Sequence, residues 1–345
     1  MEYFQPIVAR VPGHHPSPYV APNTDIIKLN SNENPYPPSS QALKVLKTFN
    51  GEWLRRYPDP YTQEFCDAAA KVLEIPPNWI ITGNGCDDLL NIIVRACVDR
   101  ARSVVYPTPT YGQYRILAEL CGSQLIEIPY GIQSSLPLEE MIQAKGALTL
   151  IASPNSPSGH QVPLTELRQL ADNVSGVLVV DEAYVDFTDA SALSLVRDYE
   201  HMVILRTLSK GYSLAGLRFG FGIAQPPLLA GLFKVKDSYG VDAIATRVAA
   251  AAITDQLYKD QCVSQIKRDR QRLTLALQRL GFQVSPSHGN FVLASHPNAR
   301  PIHDDLKSNN IWVRYYAQLS DKLRITIGTP EQNCQLLEVV SRLLR

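Results

Sequence analysis

Lys210 is the residue that its neighbours best suit to act as a nucleophile. It follows the apolar run Val203–Leu205 and the tetrapeptide Arg206-Thr207-Leu208-Ser209, and it leads into Gly211-Tyr212-Ser213-Leu214-Ala215-Gly216. Most lysines are solvated surface groups, but small neighbours leave room for a bulky partner. A lysine shielded from water gives up its proton more readily, and the free amine attacks carbonyl carbon to form a Schiff base. Three other apolar runs end in groups with chemistry of their own. Val104–Tyr106 is followed by Pro107-Thr108-Pro109-Thr110-Tyr111, Leu148–Ala152 by Ser153-Pro154-Asn155-Ser156-Pro157-Ser158-Gly159, and Val177–Val180 by Asp181-Glu182-Ala183-Tyr184. If these runs are strands of one open α/β sheet, all four sets stand at carboxyl ends, where such sheets bind ligands. Gly83-Asn84-Gly85-Cys86-Asp87-Asp88 precedes a helical pattern, so the amides of Cys86 and Asp87 are placed to receive an anion. Alone, that hexapeptide reads as a capped turn, Asp181 as a solvated strand end and Tyr111 as a core tyrosine.

The run Thr207 to Gly216 resembles the attachment signature of the class-II pyridoxal-phosphate aminotransferases: Thr, apolar, small, Lys, small, bulky, small, two free positions, small. The resemblance implies a fold-type-I enzyme carrying pyridoxal 5'-phosphate as a Schiff base on Lys210. It implies Asp181 beside the pyridine nitrogen, keeping it protonated so that the ring acts as an electron sink. Tyr184 would lie near the ring's phenolate oxygen and Tyr111 against the ring face. Ser209 and Arg218 would join the amides of Cys86 and Asp87 around the phosphate. The family usually has Asn before the Pro of an Asn-Pro-Thr-Gly-like turn, hydrogen-bonded to the phenolate oxygen; here that position is Ser156, with Asn155 before it. Either residue is left as the ring's partner.

More narrowly, nearly the whole chain resembles the histidinol-phosphate aminotransferase family. Leu29-Asn30-Ser31-Asn32-Glu33-Asn34-Pro35-Tyr36-Pro37 resembles its active-site entrance motif, which puts Asn34 among the substrate-binding residues. Arg56-Tyr57-Pro58-Asp59-Pro60 resembles the segment whose tyrosine reaches the cofactor phosphate of the neighbouring subunit, so a homodimer is expected with Tyr57 acting across it. Leu323–Thr329 resembles the segment carrying the substrate arginine, Arg324; Arg314 matches a second phosphate-binding arginine, and Tyr19 a tyrosine of the N-terminal arm near the substrate phosphate. The implied reaction is ping-pong transfer between L-histidinol phosphate plus 2-oxoglutarate and imidazole-acetol phosphate plus L-glutamate, in histidine biosynthesis, with Lys210 as the base. Histidinol phosphate has no carboxylate, so an arginine pair must bind its phosphate while Arg324 also accepts a carboxylate of glutamate. An aromatic amino-acid aminotransferase or a threonine-phosphate decarboxylase-like lyase of the same fold would keep Lys210, Asp181, Tyr184 and Arg218. A non-catalytic ligand sensor would have lost Lys210 or Asp181, and both are present.

The elements that must position these groups follow from the hydrophobic pattern. Between about residues 60 and 235, short β-branched runs alternate with helical patterns such as Asp87–Cys97 and Leu164–Ala171. Further strands are expected at Gln124–Ile128 and Phe219–Ile223. The fold class is therefore α/β, a mostly parallel central sheet covered by helices. Beyond about 240 a long helix from Thr254 to Leu280 ends at Gly281, short strands follow near Phe291–Ala294 and Leu323–Ile327, and Thr329-Pro330-Glu331-Gln332 starts a last helix. This region reads as a smaller α+β domain. The expected division is an N-terminal arm (1–29), a large domain (30–240) and a small one (241–345). With 33 basic and 33 acidic residues in 345, the chain has no electrostatic footprint for nucleic acid or an anionic membrane. No apolar run reaches membrane-spanning length and no secretory signal is visible. Six scattered cysteines fit a reducing cytoplasm, and the histidines, including His14-His15, lack metal spacing.

Overall fold

The computed structural model describes residues 3–11, 13, 18–21, 24–131, 135–316, 318–319 and 321–344. His14 and His15 lie outside them. The strands are β1 (Ile27–Leu29), β2 (Ile80–Gly83), β3 (Val104–Thr108), β4 (Leu125–Pro129), β5 (Leu148–Ala152), β6 (Val177–Asp181), β7 (Met202–Thr207), β8 (Gly220–Ile223), β9 (Gln283–Val284), β10 (Phe291–Ser295), β11 (Ile311–Tyr315) and β12 (Lys322–Thr326). Seven of them form one sheet in the order β2-β8-β7-β6-β5-β3-β4. Neighbours from β4 to β7 are parallel, and β8 runs antiparallel to both β7 and β2. The carboxyl ends of β2, β3, β5, β6 and β7 therefore share one edge with the amino end of β8.

Alternate residues of these strands feed two separate cores, as expected where helices cover both faces. Val105, Ile151, Leu178, Val180, Met202 and Ile204 pack on one side. Val104, Leu148, Leu150, Val179, Val203 and Leu205 pack on the other, against the helices Cys86–Cys97 and Gln113–Leu120. This burial fixes the register, because a one-residue slip would exchange the two faces.

The second sheet has the order β1-β11-β12-β10-β9. One face is covered by the helices Gln256–Arg279, Ala299–Ser308 and Pro330–Leu343, giving a third core around Ile266, Leu277, Ile302, Ile325 and Leu336. The Thr329 cap is a full capping box with Gln332, and Gly281 follows the long helix with φ +87°, as the pattern predicted. The expected helix Thr254–Leu280 is shorter at its start. Asp255 breaks the backbone, its side chain accepts from the Tyr258 amide, and a separate helix, Ala243–Thr254, precedes it. That helix buries Ala245, Val248, Ala249 and Ile253 in a core of the large sheet. The domain division stays a proposal, and this packing supports moving the boundary from 240 to Asp255. Likewise β1, expected in the arm, pairs in parallel with β11 of the smaller sheet.

Candidate active site

The shared strand edge collects the groups singled out from the sequence. Asp181 ends β6, and only 6% of it is exposed. Its carboxylate accepts hydrogen bonds from the Tyr114 hydroxyl at 2.9 Å and the Ala183 amide at 3.1 Å. Burial raises its pKa to about 6, and the neighbouring charges of Asp87 and Glu182 push the same way; the two hydrogen bonds oppose this. A buried anion crowded by other acids is a ready site for a cationic N–H.

Lys210 lies beyond β7. Its Nζ donates to the Ser31 carbonyl at 3.3 Å and stands 5.6 Å from the Tyr184 ring centroid. The small residue after it does not serve the expected purpose. A side chain at Gly211 would run into the Asp186 carboxylate, so Gly211 makes room for Asp186 and not for a ligand. Asn34 donates its side-chain amide to the carbonyls of Lys210 and Gly211 and accepts from the Tyr36 amide, so it braces the lysine turn from the N-terminal segment.

The turn Gly83–Cys86 stands beside the start of β8. Gly85 has φ +84°, and a Cβ there would lie 2.5 Å from the Arg218 guanidinium; a Cβ at Gly220 would lie 2.7 Å from the Cys86 nitrogen. Glycine at both positions lets three chain segments converge on one small space. Among the described residues, the Cys86 and Asp87 amides opening the helix have no acceptor. Arg218, itself at φ +54°, donates to the Ala215 carbonyl and approaches the Asp87 carboxylate at 3.5 Å. Ser209 is buried beside Thr207, their hydroxyls 2.9 Å apart. The Cys86 thiol points away, donating to the Arg206 carbonyl, and burial pushes its pKa well up. Tyr111 donates to Asp87 at 2.8 Å and meets Tyr114 edge to face. Burial and Asp87 hold its phenol well above the usual range.

The Ser153–Gly159 turn separates its two candidates. Asn155 is fully engaged: it accepts from Thr110 and donates to the Pro109 carbonyl and the Ser158 hydroxyl. Ser156 faces the smaller sheet, where its hydroxyl accepts from Arg324 at 2.9 Å. Arg324 also donates to the Asn30 carbonyl, and its Nε is buried without a partner. Arg314 on β11 is directly opposite Arg324 on β12 in the strand register. Both guanidinium groups lie 5.7 Å from the Tyr316 ring centroid.

Two candidates stand apart from this constellation within the protomer. Tyr57 is 81% exposed and stacks on Tyr239, and Tyr19 is 86% exposed. Sequence reasoning missed Asn32, whose amide donates to the Tyr184 hydroxyl, and Tyr114, the partner of Asp181. Tyr114 lies in the first turn of the helix Gln113–Leu120, three residues after Tyr111, and its place at the start of a helix leaving a strand end could have flagged it. Asn32 carried no signal beyond its place in the N-terminal motif.

A family model for aminotransferase class I and II matches residues 24–340. The chain belongs to this family. Histidinol-phosphate aminotransferase 1 of Trichormus variabilis is 55% identical over 347 residues, covering 99% of each chain. The crystal structure of histidinol-phosphate aminotransferase from Sinorhizobium meliloti, in complex with pyridoxal-5'-phosphate, aligns with a TM-score of 0.88 at 27% identity over 99% of each chain. L-threonine-O-3-phosphate decarboxylase from Porphyromonas gingivalis, at 21% identity, shares the fold with a TM-score of 0.81 over 92% of this chain and 99% of its own. Fold alone thus does not distinguish transamination from decarboxylation. For an aminotransferase, the residues present fit a pyridoxal phosphate: a buried carboxylate with no cationic partner among the described residues for the ring nitrogen, amides without acceptors beside an arginine for the phosphate, and a lysine beyond the neighbouring strand.

Proposed function

We propose that this aminotransferase acts on L-histidinol phosphate and 2-oxoglutarate, giving imidazole-acetol phosphate and L-glutamate, with pyridoxal phosphate carried on Lys210. The observation that carries the substrate assignment is the opposed pair Arg314 and Arg324. Like charges directly opposite across a ladder repel each other. A doubly charged phosphate relieves that repulsion, and guanidinium forks match its oxygens. The high identity to a curated histidinol-phosphate aminotransferase supports the same reading.

Pyridoxal phosphate, when bound, supplies a conjugated ring that takes up the electron pair left as the substrate Cα–H bond breaks. The chain's own groups do the rest. Asp181 holds a compensating negative charge at the ring nitrogen. The Gly85 turn, Ser209 and Arg218 bind the phosphate handle, and Tyr111 limits the ring's tilt. Arg324 and Arg314 orient the substrate by its anionic end, so that its Cα lies within reach of Lys210, whose Nζ takes the Cα proton. Arg324 also receives a carboxylate of 2-oxoglutarate when the second substrate enters, and of glutamate as it forms. Ser156, held by Arg324, links the substrate end of the site to the cofactor end.

The exposure of Tyr57, Tyr61 and Leu54 supports a homodimer in which Tyr57 completes the neighbouring site. Six unpaired cysteines support a cytoplasmic location, and among the described residues no helix is long and apolar enough to cross a membrane. Single-substrate half-reactions followed by cofactor absorbance test the proposal. Conversion by histidinol phosphate far faster than by phenylalanine, with no carbon dioxide released from threonine phosphate, is expected. Rapid conversion by phenylalanine alone, or decarboxylation of threonine phosphate, overturns it.

A further inference from the structure

We infer that Asn32 is a positioning residue: it fixes the direction in which Tyr184 donates its hydroxyl proton and ties that direction to the strand carrying Arg324. The inference rests on the proposed reading of Tyr184 beside the cofactor ring. Asn32 is 1% exposed, has φ +54°, and joins four parts of the chain. Its backbone amide donates to the Thr326 hydroxyl at 3.0 Å, and its carbonyl accepts from Asn290 at 3.0 Å. Its side-chain oxygen accepts from the Thr326 hydroxyl at 3.1 Å, and its Nδ2 donates to the Tyr184 hydroxyl at 2.9 Å.

The orientation of the Asn32 amide follows from Thr326. That hydroxyl already accepts from the Asn32 backbone, and it is buried, so its single proton needs an acceptor. Asn32 Oδ1 is that acceptor. Turning the amide over would leave the Thr326 proton facing two N–H hydrogens. Nδ2 is therefore committed to Tyr184. A hydroxyl that accepts from Asn32 must send its own proton elsewhere, it finds no acceptor among the described residues, and Lys210 Nζ stands 5.6 Å from the centroid of the same ring. Tyr184 is thus held as a donor toward the ring's phenolate oxygen, which stabilises that oxygen's negative charge. Arg324 and Thr326 lie two residues apart on β12, hence on the same face. The strand that orients the substrate also orients Tyr184.

The test is a pH titration of the cofactor absorbance band in the holoenzyme, which reads the protonation of the Lys210 linkage. Asn32→Asp is nearly isosteric, suits the left-handed backbone and offers only acceptors to Tyr184. Asn32→Gly removes the side chain without backbone strain. Each is expected to raise the apparent pKa of the band by about half a unit to one unit, the worth of one hydrogen bond. In a Tyr184→Phe background, Asn32→Gly should shift nothing further. Thr326→Val, which removes the proton fixing the amide, should give a smaller rise and is the recourse should the Asn32 variants fail to fold. An unchanged band pKa in folded Asn32 variants overturns the inference, as does an undiminished shift in the Tyr184→Phe background. If the Asn32 variants do not fold, an unchanged pKa in Thr326→Val overturns it. A native protein showing no such band at all would instead overturn the cofactor reading beneath it.

Discussion

Replacing Asp181 with asparagine separates what the site needs from what the fold prefers. Burial raises the Asp181 pKa from its ordinary value of 3.8 to about 6. The folded state without cofactor therefore binds the proton more tightly than the unfolded chain. Between those two values stability falls as pH rises, and the full penalty is present above about pH 6. Roughly two units at 1.36 kcal/mol each amounts to ~3 kcal/mol at neutral pH. Asparagine carries no charge but keeps only one of the two oxygens that accept separately from Tyr114 and Ala183; losing that acceptor and turning the Tyr114 hydroxyl to meet the new N–H group cost about 1 kcal/mol. The cofactor-free Asp181→Asn protein should thus be more stable than the native apo form by ~2 kcal/mol. With an unfolding entropy of about 2.1 cal/mol/K per residue, this raises Tm by about 3 °C. The gain should vanish between about pH 4 and 5 and reverse below about pH 3, where Asp181 is protonated in both states and only the cost of the amide is left. Differential scanning calorimetry of both apo proteins at neutral and acid pH measures it. Cofactor should reverse the order, because a protonated ring nitrogen stabilises the carboxylate and has no anion to meet in the variant. An apo variant less stable than native at neutral pH, or a difference independent of pH, refutes the reasoning.

Three further outcomes are expected. Gly85→Ala places a Cβ against Arg218 at a left-handed φ, so cofactor affinity measured by equilibrium dialysis should fall at least tenfold and Tm should drop, by an amount corresponding to roughly 1–2 kcal/mol of strain. Arg314→Ala and Arg324→Lys should each raise KM for histidinol phosphate by about ten- to a hundredfold in steady-state assays, the worth of a charge-assisted bond, while Arg324→Lys alone should also raise KM for glutamate. If Tyr57 acts across subunits, mixing Tyr57→Phe with inactive Lys210→Ala chains should give heterodimers with one intact site, and activity should recover above that of either parent.

The sequence was most legible where chemistry and local structure coincide. Lys210, Asp181 and Tyr111 each follow a buried apolar run, so locating the strands located the groups, while the Gly85 turn was found from its glycines and the helical pattern after it. The strands that went unread were β1, β2, β9 and β11. Two of them matter to the site, since β2 leads into the Gly85 turn and β11 carries Arg314. The pairing of Arg314 with Arg324 is a register fact that no local pattern contains. The same holds for Asn32, which lies 152 residues from Tyr184 and 294 from Thr326. What Asn155 and Ser156 each touch needed the fold as well: Asn155 spends its hydrogen bonds on Pro109, Thr110 and Ser158, and Ser156 meets Arg324. The helix Ala243–Thr254 went unread, and the Asp255 cap that separates it from Gln256–Arg279 is the local signal that was missed.

The central claim is that Lys210 holds the cofactor and moves the proton. Borohydride reduction of the native protein followed by peptide mapping tests it most directly. The account predicts a single pyridoxyl-labelled peptide containing Lys210, and a Lys210→Ala protein that loses both label and turnover while keeping its fold. Label on another lysine, or turnover surviving in Lys210→Ala, would contradict it.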